Sequence, residues 1–273
     1  MNGIKTGFLL AVLTALLLLI GYMIGGTGGL VVFLIIAAVM NFSAFWWSDK
    51  FALRMAGAQE VTAEEAPKLH DMVYEVAYRA GMPMPKVYII ENPTPNAFAT
   101  GRSPEKGVVA VTTGIMQLLE ERELRAVIGH EMAHVKNRDT LTSSIVATIA
   151  GAISMISFML IFFGGQRNAL ASIAIMILAP LAASIIQFAI SRTREFAADE
   201  AGARIVGDPH ALASALAKLH QGVAHSPMKE TPQQEAVAAL YIVHPFSGGG
   251  ISKLFSTHPP LEERIERLQR MGL

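Results

Sequence analysis

The chain has 273 residues, 52% of them hydrophobic and only 16% charged, with a mean hydropathy of +0.42. An ordinary soluble domain carries about 25% charge, so this composition argues against a purely soluble protein, and its hydrophobicity excludes disorder. Lysine plus arginine equals aspartate plus glutamate at 22 each, leaving no global basic field and no expectation of a nucleic-acid partner. Cysteine is absent, so any metal site must be built from histidines and carboxylates.

From Thr6 to Ser48 there is no charged residue, a run of 43. One straight helix of that length would be about 65 Å long, twice the roughly 30 Å hydrocarbon core. The segment must therefore fold back, and Gly25-Gly26-Thr27-Gly28-Gly29 marks the break. The expected hairpin covers residues 6–47, with spans near 6–24 and 30–47, and Trp46 and Trp47 at the interface. A cleaved signal peptide is the lesser alternative, because the apolar run is too long for one.

The next polar stretch, residues 49–139, opens with an amphipathic helix over Ala66–Arg79, read from Leu69, Met72, Val73, Val76 and Ala77. Short β-prone runs follow at Lys86–Ile90, Ala97–Thr100 and Val108–Thr112, which predicts a small sheet of about three strands. Glu121–Asp139 then has helical periodicity. A second uncharged hairpin, residues 143–190, is broken at Gly164-Gly165-Gln166-Arg167-Asn168. Beyond it, residues 192–273 read as helices over Arg192–Val206, Pro209–Gln221 and Pro260–Met271, with Gly222–Ser256 as loop.

Two hairpins place both polar segments on one side, where 91 and 82 residues suffice for one domain. Lys5, Lys50, Arg54, Lys136, Arg138, Arg192 and Arg194 flank the spans on that side and only Arg167 lies opposite, so that side is expected to be cytoplasmic. The predicted fold class is an α-helical membrane protein with four transmembrane helices in two hairpins, plus a cytoplasmic, mainly α domain carrying a small β-sheet.

The chemistry resides in His130-Glu131-Met132-Ala133-His134, an H-E-x-x-H sequence. On a helix, positions i and i+4 share a face, so both imidazoles reach one tetrahedral Zn²⁺ and Glu131 stands beside them as general base. A zinc peptidase keeps three protein ligands. Glu195, in Arg194-Glu195-Phe196-Ala197-Ala198-Asp199, is the candidate third, and Asp199 follows one turn along the same face, placed to orient a ligating His. Glu200 competes as the third ligand. His258, Tyr241 and His244 are candidates to steady the oxyanion or to regulate. Asn96, Ala97, Phe98 and Ala99 form a candidate edge strand on which an extended substrate could add by β-augmentation. Asp139 is read equally as a structural cap partner and as a group behind a ligand.

Taken in order, two spans, Asn96–Gly101 (N-A-F-A-T-G), Thr112–Gly114 (T-T-G), Glu123–Asp139 (E-L-x-x-V-x-x-H-E-x-x-H-x-x-N-x-D), two more spans and Ser191–Asp199 (S-R-x-R-E-F-x-A-D) resemble the HtpX family of membrane zinc endopeptidases, relatives of the CAAX prenyl endopeptidases. The resemblance runs over nearly the whole chain, except Gly222–Ser256. It implies a gluzincin with one Zn²⁺ per chain, held by His130, His134 and Glu195, with Glu131 as general base. It also implies residence in the inner cell membrane as a multi-pass protein, cytoplasmic-facing proteolysis of misfolded membrane proteins and a role under heat or envelope stress. The competing reading is a non-catalytic metal-binding membrane scaffold or a transporter. Both ligand-bearing helices run into the second hairpin, so the metal is expected about 10–15 Å from the bilayer surface at 1.5 Å per helical residue. Unfolded polypeptide tethered to the lipid bilayer is then the expected substrate.

Overall fold

The computed structural model describes residues 2–146, 192–246 and 259–272. Most of the second expected hairpin, residues 147–190, therefore lies outside the described residues, as does His258.

Where the first hairpin was expected, α1 (Asn2–Ala56) has its helical course interrupted at Gly25 (φ −140°, ψ 20°) and Gly26 (φ 57°, ψ −136°). The backbone angles of Gly26 are open essentially to glycine alone, and they reverse the chain. Asn41 Nδ2 donates to Thr14 Oγ1 at 2.8 Å across the hairpin. Along one straight helix those residues would stand about 40 Å apart. Gly25–Ala56 is long and apolar enough to cross a membrane, and only 11% of its most apolar window is buried. Val31, Ile35, Val39, Phe42 and Trp47 all lie exposed on it, a surface that water does not favour.

The end of α1 leaves that apolar environment and enters the polar domain. Ala52, Leu53 and Ala56 are buried against Ile90, Phe98, Val108 and Ala110 on one face of the sheet. Arg102 stacks its guanidinium on Trp46, 4.5 Å from the ring centroid, tying the domain to the lower part of the helix.

The sheet has four strands where about three were expected. The addition is β1 (Ala58–Glu60), three residues long and too short to show alternation. With β2 (Lys86–Ile90), β3 (Ala97–Thr100) and β4 (Val108–Thr112) the order is β1-β2-β4-β3. β2 and β4 are parallel, while β1 pairs β2 and β3 pairs β4 antiparallel. Side chains alternate across the strands. Val87, Ala97, Val109 and Val111 face the main core, and Ile90, Phe98, Val108 and Ala110 face the end of α1.

The main core is closed by α2 (Pro67–Ala80), α3 (Thr113–Leu118), α4 (Glu121–Lys136), α5 (Arg192–Val206), α6 (Pro209–His225) and α8 (Leu261–Gln269). Short α3 carries no period of its own; Thr112 begins it by accepting from Ile115 N through its hydroxyl. The helix expected over Glu121–Asp139 ends earlier, at Lys136, because Arg138 takes a left-handed φ of 58°. A new helix starts at residue 139.

The stretch read as loop, Gly222–Ser256, is ordered where it is described. α6 runs on to His225, and α7 (Pro232–Val237) follows with Thr231 as its cap and Ala236 and Val237 buried. A 3₁₀ turn (Ala238–Leu240) then delivers Tyr241–Val243 to the outer edge of β3. Six-residue helices built on two buried side chains leave too little periodicity to read.

Candidate metal centre

Helix α4 presents the two histidines and α5 the glutamate, and two glycines bring these helices together. A Cβ on Gly202 would lie 2.6 Å from His130 N, and one on Gly129 would lie 2.7 Å from a Val206 methyl. Only bare glycine backbones permit this approach. The contact is made at the first histidine, which sets Glu195 over the open side of the H-E-x-x-H turn.

The resulting cluster is tight. His130 and His134 stand edge to face with ring centroids 4.8 Å apart. Glu195 reaches both, with Oε1 3.4 Å from His134 Nε2 and Oε2 3.9 Å from His130 Nε2. One donor atom from each of the three residues lies within 4.8 Å of the other two. Tetrahedral zinc with bonds of about 2.1 Å separates its donors by about 3.4 Å, so small side-chain adjustments complete the shell. Glu200, the rival third ligand, points outward and pairs with Arg204 at 3.0 Å.

Behind each imidazole stands a carboxylate. His130 Nδ1 is 2.9 Å from Asp199 Oδ1, and His134 Nδ1 is 3.4 Å from Asp139 Oδ2. Each carboxylate favours a proton on Nδ1 and so leaves Nε2 free as the donor to a metal. Asp139 also lies 3.5 Å from Arg194 Nη1. Its place beside His134 Nδ1 fits the reading that sets it behind an imidazole.

The charge balance gives an independent test of fit. Four buried carboxylates (Glu131, Asp139, Glu195 and Asp199) face two largely buried guanidinium groups, Arg194 and Arg264. A divalent cation would supply the missing positive charge. Without one, burial raises the Glu131 carboxyl to about 8, against the pull of His134. Burial lowers His130. It pulls His134 the same way, but the Glu195, Asp139 and Glu131 carboxylates together outweigh it and take that imidazole up to about 10. Both histidines must be neutral to ligate, and a cation at the donors imposes that state.

Glu131 lies beside the three donors with 3% of its surface exposed. Its Oε2 accepts from Ala99 N on β3 at 2.7 Å. That bond aims the carboxylate and ties the edge strand to the centre. The cavity they share, about 30 Å³, is lined by Ala99, His130, Glu131, His134, Arg194 and Glu195 among others. It has room for a water or two and none for a peptide.

Several sequence expectations take different places. Tyr241 is not in this cavity. It is fully buried edge-to-face on Phe98 at 5.4 Å, in the cluster beneath α1, and burial raises its hydroxyl above its ordinary range. It fills the core beside Phe98 and does not line the cavity. His244 packs against Phe246 and does not line the cavity either. The outer edge of β3 is not open. Ile242 N donates to Ala97 O at 3.0 Å, the Asn96 amide pairs with both Val243 backbone groups, and Ala99 N is held by Glu131. Arg194 was read only as a flanking charge, yet it lines the cavity.

A buried His-His-Glu donor set with a further glutamate on the same turn defines a metalloprotease centre, and comparison with known proteins agrees. Peptidase family M48 matches residues 63–272. Protease HtpX homologues from Ralstonia pickettii and Burkholderia thailandensis are 54% and 52% identical over 277 residues, covering 99% of this chain and 97% of each of theirs. The crystal structure of Ste24p from S. mikatae shares the fold with a TM-score of 0.50 at 18% identity, over 98% of this chain and 64% of that longer one. The chain belongs to peptidase family M48, among its HtpX proteases, and is a membrane metalloprotease.

Proposed function

We propose that this chain is a zinc endopeptidase of the inner cell membrane, with four spans and its active site on the cytoplasmic side, that cleaves unfolded segments of misfolded or damaged membrane proteins. The observation that carries the reading is a single one. The His130–His134–Glu195 donor set belongs to a domain whose core includes the end of an exposed apolar helix, through Ala52, Leu53 and Ala56. Catalysis beside the bilayer follows from that embedding. The excess of lysine and arginine on the polar-domain side supports the orientation.

His130, His134 and Glu195 would hold the metal, with Asp199 and Asp139 keeping the imidazoles in the ligating tautomer. The chemistry that a zinc ion would supply there is Lewis acidity toward a scissile carbonyl and toward water. Glu131, aimed by Ala99 N, takes the proton from the attacking water and returns it to the leaving amine. The released amine then takes up a proton as an ammonium group and the new carboxyl ionises, so the two fragments do not rejoin.

An extended substrate is read through main-chain hydrogen bonds on β3, where Ile242 and Val243 now pair. Exchange of that segment for substrate opens the cavity and keeps sequence demands low. Little specificity for side chains and strong dependence on an unfolded backbone suit a quality-control protease.

The test places a cleavable segment at increasing distances from the last span of a substrate in proteoliposomes. Tethering near the site raises effective concentration, which falls with linker length. Cleavage is expected to be fastest at short spacings and much slower for an untethered copy. Equal rates at every spacing and for the free segment would reduce the membrane to an anchor.

A further inference from the structure

Beside the three ligands and Glu131, a buried guanidinium stands at the centre. Arg264 comes from α8, at the opposite end of the domain's sequence, and is 2% exposed. Its Nε and Nη2 clamp both oxygens of Asp199, at 2.8 and 2.7 Å. The Asp199 Oδ1 that accepts from Nη2 is the oxygen that faces His130 Nδ1 at 2.9 Å. Arg264 Nη1 lies 3.4 Å from Ile242 O, on the segment that covers β3, and Nη2 comes within 4.0 Å of Glu195 Oε2. One guanidinium thus contacts the carboxylate behind a ligand, approaches a ligand itself and holds the chain that lies over the edge strand.

We propose that Arg264 is a positioning residue of the metal centre, which fixes the plane of the Asp199 carboxylate and through it the imidazole of His130. The proposal rests on the reading that His130, His134 and Glu195 hold a metal. The fork matters more than the charge. A planar guanidinium sets both oxygens of a carboxylate at once, whereas an ammonium is a point charge that leaves the carboxylate free to turn. A structural staple would not need this chemistry, because well-packed apolar side chains often replace a buried ion pair without loss of stability. The position of the C-terminal helix is thereby linked to metal affinity.

The experiment uses the full-length chain in detergent. Zn²⁺ affinity is measured by competition with a chromophoric chelator, and the visible bands of the Co²⁺ form report ligand geometry. Arg264→Gln is expected to weaken Zn²⁺ binding by about 10–100-fold, the usual loss for a group behind a ligand, and to shift the Co²⁺ bands. Arg264→Lys should recover only part of the loss. In an Asp199→Asn background, Arg264→Gln should add less than about threefold, because residues acting through one chain are not additive. Unchanged affinity and bands in Arg264→Gln, with lower thermal stability alone, would mark a staple and overturn the proposal, as would full additivity in the double variant. If Arg264→Gln does not fold, the double variant against Asp199→Asn decides by the same criterion. A wild type that binds no Zn²⁺ would overturn the metal reading itself, an outcome distinct from a wild type and Arg264 variants that bind equally.

Discussion

Glu131→Gln is expected to abolish peptide hydrolysis while the purified protein retains its metal. The carboxylate lies next to the donor cluster but is not one of the three groups that converge, and Ala99 N holds it in place. Glutamine keeps the size and can still accept that bond, so the ligands stay in position. It cannot take a proton from water, and the loss should reach at least about 10²–10⁴-fold, the scale of general-base catalysis. A second signature comes from pH. Burial raises the Glu131 carboxyl to about 8 in the folded, metal-free protein. Its folded state therefore binds the proton more tightly than the unfolded chain, which favours the fold at low pH. That contribution is lost as pH rises from the ordinary glutamate range through about 8. Glutamine has no such charge to bury. In chelator-treated protein the melting temperature of Glu131→Gln should exceed that of wild type by a margin that grows between mildly acidic and mildly alkaline pH. Loss of metal from the variant would mean that Glu131 is a ligand.

Glu195→Ala is expected to empty the centre. Among the described residues Glu195 is the carboxylate whose oxygens face both Nε2 atoms, and without it two histidines remain to hold the ion. Metal content should fall from about one per chain toward zero, as expected when a three-ligand zinc site loses a ligand, and hydrolysis should fall with it. Two controls distinguish this from unfolding. Glu200→Ala should leave metal content unchanged, because that side chain is exposed and paired with Arg204. Glu195→Ala should also keep its secondary structure, since the contact between α4 and α5 rests on Gly129 and Gly202. Retained metal in Glu195→Ala together with lost metal in Glu200→Ala would move the third ligand from Glu195 to Glu200, further along α5.

How much of this could be read from the sequence depended on the reach of each interaction. His130 and His134 are one helical turn apart, and Glu195 and Asp199 another, so the face each pair shares is fixed by local geometry. The first hairpin was legible because an uncharged run too long for one span contains a cluster of glycines. Arg264 was hidden. It sits among Glu262, Glu263, Glu266 and Arg267, a pattern that looks like a solvated helix surface, and its partner Asp199 is 65 positions away. Asp139 was ambiguous until the left-handed Arg138 turned it back toward His134. Tyr241 shows the converse error: a hydroxyl in the sequence suggests a donor, but here the ring fills the space beside Phe98. The pairing of Ile242 and Val243 on β3 joins segments about 145 residues apart in a region without periodicity, and no local signal marks it.

The central claim is that a single zinc ion, held by His130, His134 and Glu195, makes this chain a peptidase. Metal analysis of the detergent-purified full-length protein, paired with its cleavage of casein before and after chelation, tests it most directly. About one zinc per chain is expected, with loss of cleavage as the metal is removed and return of cleavage when zinc is restored. Protein that carries no stoichiometric metal, or that cleaves equally well after the metal is stripped, would contradict it.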